Sequence, residues 1–157
     1  MTRLCAVLLA LAACGRPEAP QPPQAPAPAP AAAPRPQLVP MNPGAQPVDA
    51  AVRAAMGAPG RDVVVYVGAS WCEPCTRFHD AVASGALDAT FPTLTLLEFD
   101  LDRDRAGLEA AGYGSRMIPL FAIPGPDGRG TDRRIQGGVK GEGAVDNIVP
   151  RLRELLR

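Results

Sequence analysis

Apolar residues fall into three regimes along the chain. Leu4 to Ala13 is one continuous apolar run, residues 15 to about 47 show no helical or strand period, and periodic patterning begins only at Val48. Val48 to Met56 carries apolar residues at helical spacing and stops at Gly57, with Pro59 beyond, which predicts a short helix. Val63 to Val67 is an unbroken β-branched and aromatic run, the pattern of a strand buried on both faces. A helix is predicted from Glu73 to about Ser84, with Gly85 as its stop. From Thr93 to Leu101, Leu97, Phe99 and Leu101 alternate with Glu98 and Asp100, which predicts a second strand. Asp104 to Ala111 predicts a short helix closed by Gly112, Leu120 to Ile123 a third strand, and Gly125-Pro126-Asp127-Gly128 a turn. Arg133 to Gln136 is a weaker strand that pairs back across that turn. The chain ends in an amphipathic helix with Val145, Ile148, Val149, Leu152, Leu155 and Leu156 on one side; Pro150 within it predicts a kink or a late start. The order α-β-α-β-α-β-β-α predicts an α/β domain with a central mixed sheet flanked by helices.

Length and charge narrow the function classes. At 157 residues there is room for one domain plus extensions. The 16 basic residues balance the 16 acidic ones, so nothing argues for a nucleic-acid partner. Residues 15 to about 47 are a Pro/Ala/Gln tract, which cannot bury enough apolar surface to fold and favours extended polyproline conformations. It is expected to be a disordered spacer. Before it, Arg3 and the short apolar run have the layout of a targeting segment, too short to span a bilayer stably. The run ends in Leu11-Ala12-Ala13-Cys14, which resembles the lipobox of bacterial lipoproteins. That resemblance implies a signal peptide over residues 1–13, lipidation of Cys14, a linker over 14–47 and a folded domain over 48–157. Gly15 stands where inner-membrane retention would prefer aspartate, which leans toward the outer membrane. An ordinary signal peptide cleaved after small residues is the alternative.

The remaining cysteines carry the chemistry. Cys72 and Cys75 lie in Trp71-Cys72-Glu73-Pro74-Cys75, where the buried strand should turn into a helix. A helix N-terminus has unpaired N–H groups and a positive partial charge, so a cysteine there loses its proton more easily. Pro74 is tolerated in the first turn, where its missing N–H has no helical partner. A second thiol one turn along can attack a mixed disulfide formed on the first. The motif therefore reads as a dithiol/disulfide redox centre, with Cys72 as the exposed attacking thiolate and Cys75 as the resolving thiol. Glu73 places negative charge beside that thiolate and should raise its pKa, which favours a reductant over an oxidant or isomerase.

The strand before this motif, Tyr113-Gly114, Ile118-Pro119 and the Gly-rich hairpin after them occur in the order found in the thioredoxin superfamily, which residues 48–157 resemble. The resemblance implies a thioredoxin-like fold, a cis peptide bond before Pro119, and pairing of a substrate segment with the backbone of Ile118. Trp71 would shape the same substrate face. The Glu-Pro dipeptide resembles membrane-tethered reductases that serve cytochrome c maturation. The hairpin and the strand around Leu96 look closer to the C-terminal domain of the transmembrane disulfide reductase. In one position the chain departs from thioredoxin, which has a buried aspartate where this chain has Tyr66. Glu98 falls near the position of thioredoxin's partner lysine, and a hydrogen bond from Tyr66 to Glu98 would bring in a carboxylate from the neighbouring strand.

These features predict a monomeric, lipid-anchored thiol–disulfide oxidoreductase of the cell envelope, exchanging electrons with protein thiols. A membrane dithiol would supply electrons, so no bound cofactor is expected. Two other readings remain. Cys72, Cys75 and His79 share a helical face and could carry copper as a metallochaperone. The fold could also be a redox-silent binding module, which the intact cysteine pair disfavours.

Overall fold

The computed structural model describes residues 33–57 and 59–157. The elements are β1 (Gln37–Pro40), α1 (Val48–Ala55), β2 (Asp62–Gly68), α2 (Glu73–Ala83), β3 (Leu94–Asp100), α3 (Leu101–Ala110), β4 (Leu120–Pro124), β5 (Gly130–Gln136) and α4 (Ala144–Leu155). They build one sheet in the order β1-β3-β2-β4-β5. Strands β1, β3 and β2 run parallel, while β4 is antiparallel to β2 and β5 antiparallel to β4. Parallel crossovers followed by a hairpin and a closing helix make this the thioredoxin-like α/β fold that the sequence implied.

β2 lies at the centre because its sequence suits no other place. Val64 to Gly68 are buried at five consecutive positions, so both faces of the strand need cover. Helices supply it in two pairs, α2 against α4 and α1 against α3. At the second contact Gly107 of α3 leaves room for the Val48 side chain, whose Cγ2 would lie 2.8 Å from any added Cβ. On the α2 side the core is aromatic. Phe78 packs edge-on to Phe121 with centroids 4.9 Å apart, and Tyr66 stacks on Phe121 at 5.1 Å.

Three boundaries differ by three residues or more from the sequence expectation: the start of the folded unit, the start of α3, and the start of β5, which begins at Gly130 rather than Arg133. The folded unit begins at Ala33 rather than Val48, because β1 adds an edge strand from within the stretch assigned to the linker. Its pairing partner makes it a strand: Leu38 and Val39 lie opposite Leu96 and Leu97, and Met41 N–H donates to the Glu98 carbonyl at 2.8 Å. Pro40 is tolerated because β1 is an edge strand. Second, α3 starts at Leu101, directly after β3, since the Asp100 carboxylate caps it by accepting from Asp102 and Arg103 N–H at 2.9 and 3.0 Å. Of the two outcomes expected at Pro150, a kink or a late start, the late start is excluded, since α4 begins at Ala144 and continues through Pro150. Ile148, Leu152 and Leu155 on its buried face hold it to the core across the interruption.

Candidate active site

β2 ends at Gly68, and a short loop delivers the chain to α2 with Cys72 as the residue before its first turn (φ −84°, ψ 99°). Cys72 N–H donates to the Ala69 carbonyl at 3.0 Å, and the Cys72 carbonyl accepts from Thr76 N–H at 3.0 Å. Pro74 occupies the first turn. Cys72 and Cys75 are joined as a disulfide with their Cα atoms 5.2 Å apart. The structure is thus the oxidised form of a dithiol centre at a helix N-terminus.

Exposure does not separate the two sulfurs as the sequence suggested. Cys72 is 4% exposed and Cys75 3%, so both sulfurs of the disulfide are buried. They differ in the opening each lines. Cys72 lies in a groove of about 560 Å³, together with Trp71, Met117, Ile118 and Val139. Cys75 lies in a separate cleft of about 320 Å³ that also holds Tyr66, His79 and Glu98. The wider opening is the one lined by Cys72, and the narrower one at Cys75 is lined largely by polar side chains.

The carboxylate next to Cys72 is already committed. The Glu73 carboxylate accepts from Arg77 Nε at 3.0 Å and from Gly141 N–H at 3.1 Å. These bonds, the Arg77 contact first, hold its carboxyl below the usual range, so Glu73 is ionised beside Cys72. Arg77 and Lys140 offset part of its field.

The expected Tyr66–Glu98 hydrogen bond is not formed. The two residues do face each other across β2 and β3, but the phenol reaches past the strand to the first turn of α2. There Tyr66 Oη donates to the Cys75 carbonyl at 3.2 Å. Glu98 instead points toward His79, with 3.8 Å between Oε1 and Nε2, and its side chain is 27% exposed. Burial first, and then the Glu98 charge, push the Tyr66 hydroxyl well above its ordinary value; burial does the same at Tyr113. Both phenols therefore stay neutral in the folded state after their unfolded counterparts begin to ionise. Their contribution is complete below the unfolded pKa and is lost as pH rises. Urea unfolding should give a midpoint that is flat in this respect to about pH 9 and falls above about pH 10.

The other expected site residues are placed as follows. The Ile118–Pro119 peptide bond is cis, and Ile118 lines the groove with Cys72. Trp71 is 64% exposed at the groove mouth, where its indole N–H donates to Asp102 Oδ2 at 2.7 Å. Cys14 and the expected signal peptide over residues 1–13 lie outside the described residues. His79 lines the cleft at Cys75, and both cysteines are engaged in the disulfide, so the three-ligand copper set is not assembled in this oxidised state. Among the described residues no group of three His, Cys, Asp or Glu side chains is placed to hold a metal ion. Sequence reasoning missed Met117, Val139, Arg116 and Lys140, which come to the groove from two loops. The one signal was carried by Met117 and Val139, large apolar residues in polar, Gly-rich surroundings; Arg116 and Lys140 gave none.

No protein-family model and no curated protein matches the chain. Among solved structures it is similar to a point mutant of thioredoxin from Halobacterium salinarum NRC-1, at 19% sequence identity and a TM-score of 0.47, over 81% of this chain and 96% of that one.

Proposed function

We propose that this protein is a thiol–disulfide oxidoreductase that reduces protein disulfides in the cell envelope. One observation carries the reading: a cysteine pair at a helix N-terminus, joined as a disulfide, with one member lining a groove of about 560 Å³. In the reduced protein, the Cys72 thiolate attacks one sulfur of a substrate disulfide. A mixed disulfide forms and the other substrate sulfur leaves as a thiolate. The Cys75 thiolate then attacks Cys72 Sγ, closing the Cys72–Cys75 bond and releasing the second substrate thiolate. Two electrons pass to the substrate, and the two protons shed by the protein thiols are taken up by the products. A dithiol donor at the membrane restores the reduced form.

Ionised Glu73 favours the reducing direction, because negative charge beside Cys72 disfavours its thiolate and thereby favours the disulfide. Residues 1–13 act as signal peptide, Cys14 carries the lipid, and the tract that follows spaces the folded unit from the membrane, with the outer membrane favoured by Gly15. Among the described residues no helix is long and apolar enough to cross a membrane.

Glu98 supports Cys75 through the cleft they share, rather than through Tyr66. The carboxylate takes up the Cys75 proton through solvent in that cleft during the resolving step. Glu98→Gln should slow resolution several-fold below about pH 8 and have less effect near pH 9, where the thiol ionises unaided. Stopped-flow rates unchanged across that range would remove Glu98 from the mechanism.

Turnover of insulin with dithiothreitol, read beside the metal content of the purified protein, tests the function. The expected result is accelerated insulin precipitation and no metal. Stoichiometric copper without reductase activity would reverse the assignment.

A further inference from the structure

We propose that the groove at Cys72 selects polypeptide disulfides whose cysteine is flanked by acidic residues. This rests on the oxidoreductase reading and names the substrate class of the same site. Among the described residues the large hydrophobic side chains left exposed are Trp71, Met117 and Val139. All three line the groove that holds Cys72, so apolar contact surface is concentrated where a substrate must dock.

The charge of the groove sets it apart from the rest of the molecule. The chain has equal numbers of basic and acidic residues, yet this groove gathers Arg116, Lys140 and Arg151 against the single carboxylate of Glu73. That carboxylate is occupied by Arg77 and the Gly141 N–H. Arg151 is fixed in the wall, donating to the Gly137 and Gln136 carbonyls at 2.8 Å each. Arg116 and Lys140 are exposed and belong to no ion pair among the described residues. Two free cations on the rim of an apolar groove complement an acidic ligand and repel a basic one.

The size of the site calls for a polypeptide. Beyond Trp71 and Met117 a second groove of about 920 Å³ adjoins the first; Arg116 lines both, and Arg105 and the Glu109 carboxylate line the second alone. A chain crossing that ridge could place acidic residues on either side of its cysteine within reach of Arg116 and Lys140. A small anionic disulfide such as oxidised glutathione would fill little of this surface.

The test uses the reduced folded protein and short peptides with a central cysteine in disulfide linkage to mercaptoethanol, flanked by Glu, Gln or Lys. Exchange is followed by stopped flow through Trp71 fluorescence. At about 20 mM salt the rate should fall in the order Glu, Gln, Lys, by about tenfold from first to last, and the spread should shrink below about twofold near 0.5 M salt. Arg116→Gln with Lys140→Gln should flatten the order, whereas Arg116→Lys with Lys140→Arg should keep it; circular dichroism checks that both fold. A flat order at low salt, an order surviving in the neutral double variant, or oxidised glutathione reacting as fast as the Glu peptide would overturn the proposal. Absence of exchange with every peptide would overturn the oxidoreductase reading itself, and this inference with it.

Discussion

Cys72→Ser is expected to abolish disulfide exchange, lowering turnover by about a thousandfold or more, because a serine hydroxyl is un-ionised at neutral pH and cannot replace the thiolate nucleophile. Cys75→Ser is expected to behave differently. Its first attack survives, so it should accumulate a one-to-one mixed disulfide with substrate at Cys72 and then stop. The two cysteines are almost equally buried, so burial does not predict this asymmetry. It rests on Cys72 being the residue that precedes the first turn of α2 and on its lining the wider groove, while Cys75 lines the narrower cleft. Non-reducing mass spectrometry of both variants after incubation with an oxidised peptide decides the assignment. Adducts on Cys75 in the Cys72→Ser protein, at a rate near that of Cys75→Ser, would exchange the two roles. Expressed in the native host, the trapped Cys75→Ser protein should also carry the physiological partners.

The second large effect is on stability. Phe78 is fully buried on α2, three residues beyond Cys75, and packs against both Tyr66 and Phe121. Phe78→Ala removes one of three mutually touching rings at the contact between α2 and the sheet, and should cost about 3–5 kcal/mol in urea unfolding. A typical domain has only about 5–15 kcal/mol in total, so the variant should be marginal at 37 °C. Phe78→Leu keeps most of the volume and should cost less than half as much. A loss below about 1 kcal/mol for Phe78→Ala would show that the ring cluster does not anchor α2.

Most of the fold was legible because its strands and helices signal through their own side chains. Val63 to Val67 announced a central strand, and the α4 stripe announced the closing amphipathic helix, though not that it would start before Pro150 and continue through it. β1 was not legible. Pro36, Pro40 and Pro43 surround its two aliphatic residues, and the hydrogen bonds that make it a strand come from β3. At the site, the cysteine pair and Ile118-Pro119 were visible as local motifs. The groove was not, since Met117, Val139 and Lys140 are brought together by loops distant in sequence. The Tyr66–Glu98 bond failed for a geometric reason: opposite register sets two backbones side by side, but each side chain found its partner on α2 instead.

The central claim is that Cys72 and Cys75 form a reversible two-electron centre poised as a reductant. Trp71 is the protein's single tryptophan and adjoins Cys72, so its fluorescence should report the state of the disulfide. Equilibration in thiol/disulfide buffers should give one two-electron transition, with a slope near 30 mV per decade and a midpoint more negative than about −220 mV. A midpoint above that value would contradict the reducing role. Failure to find any reversible two-electron transition would contradict the redox centre itself.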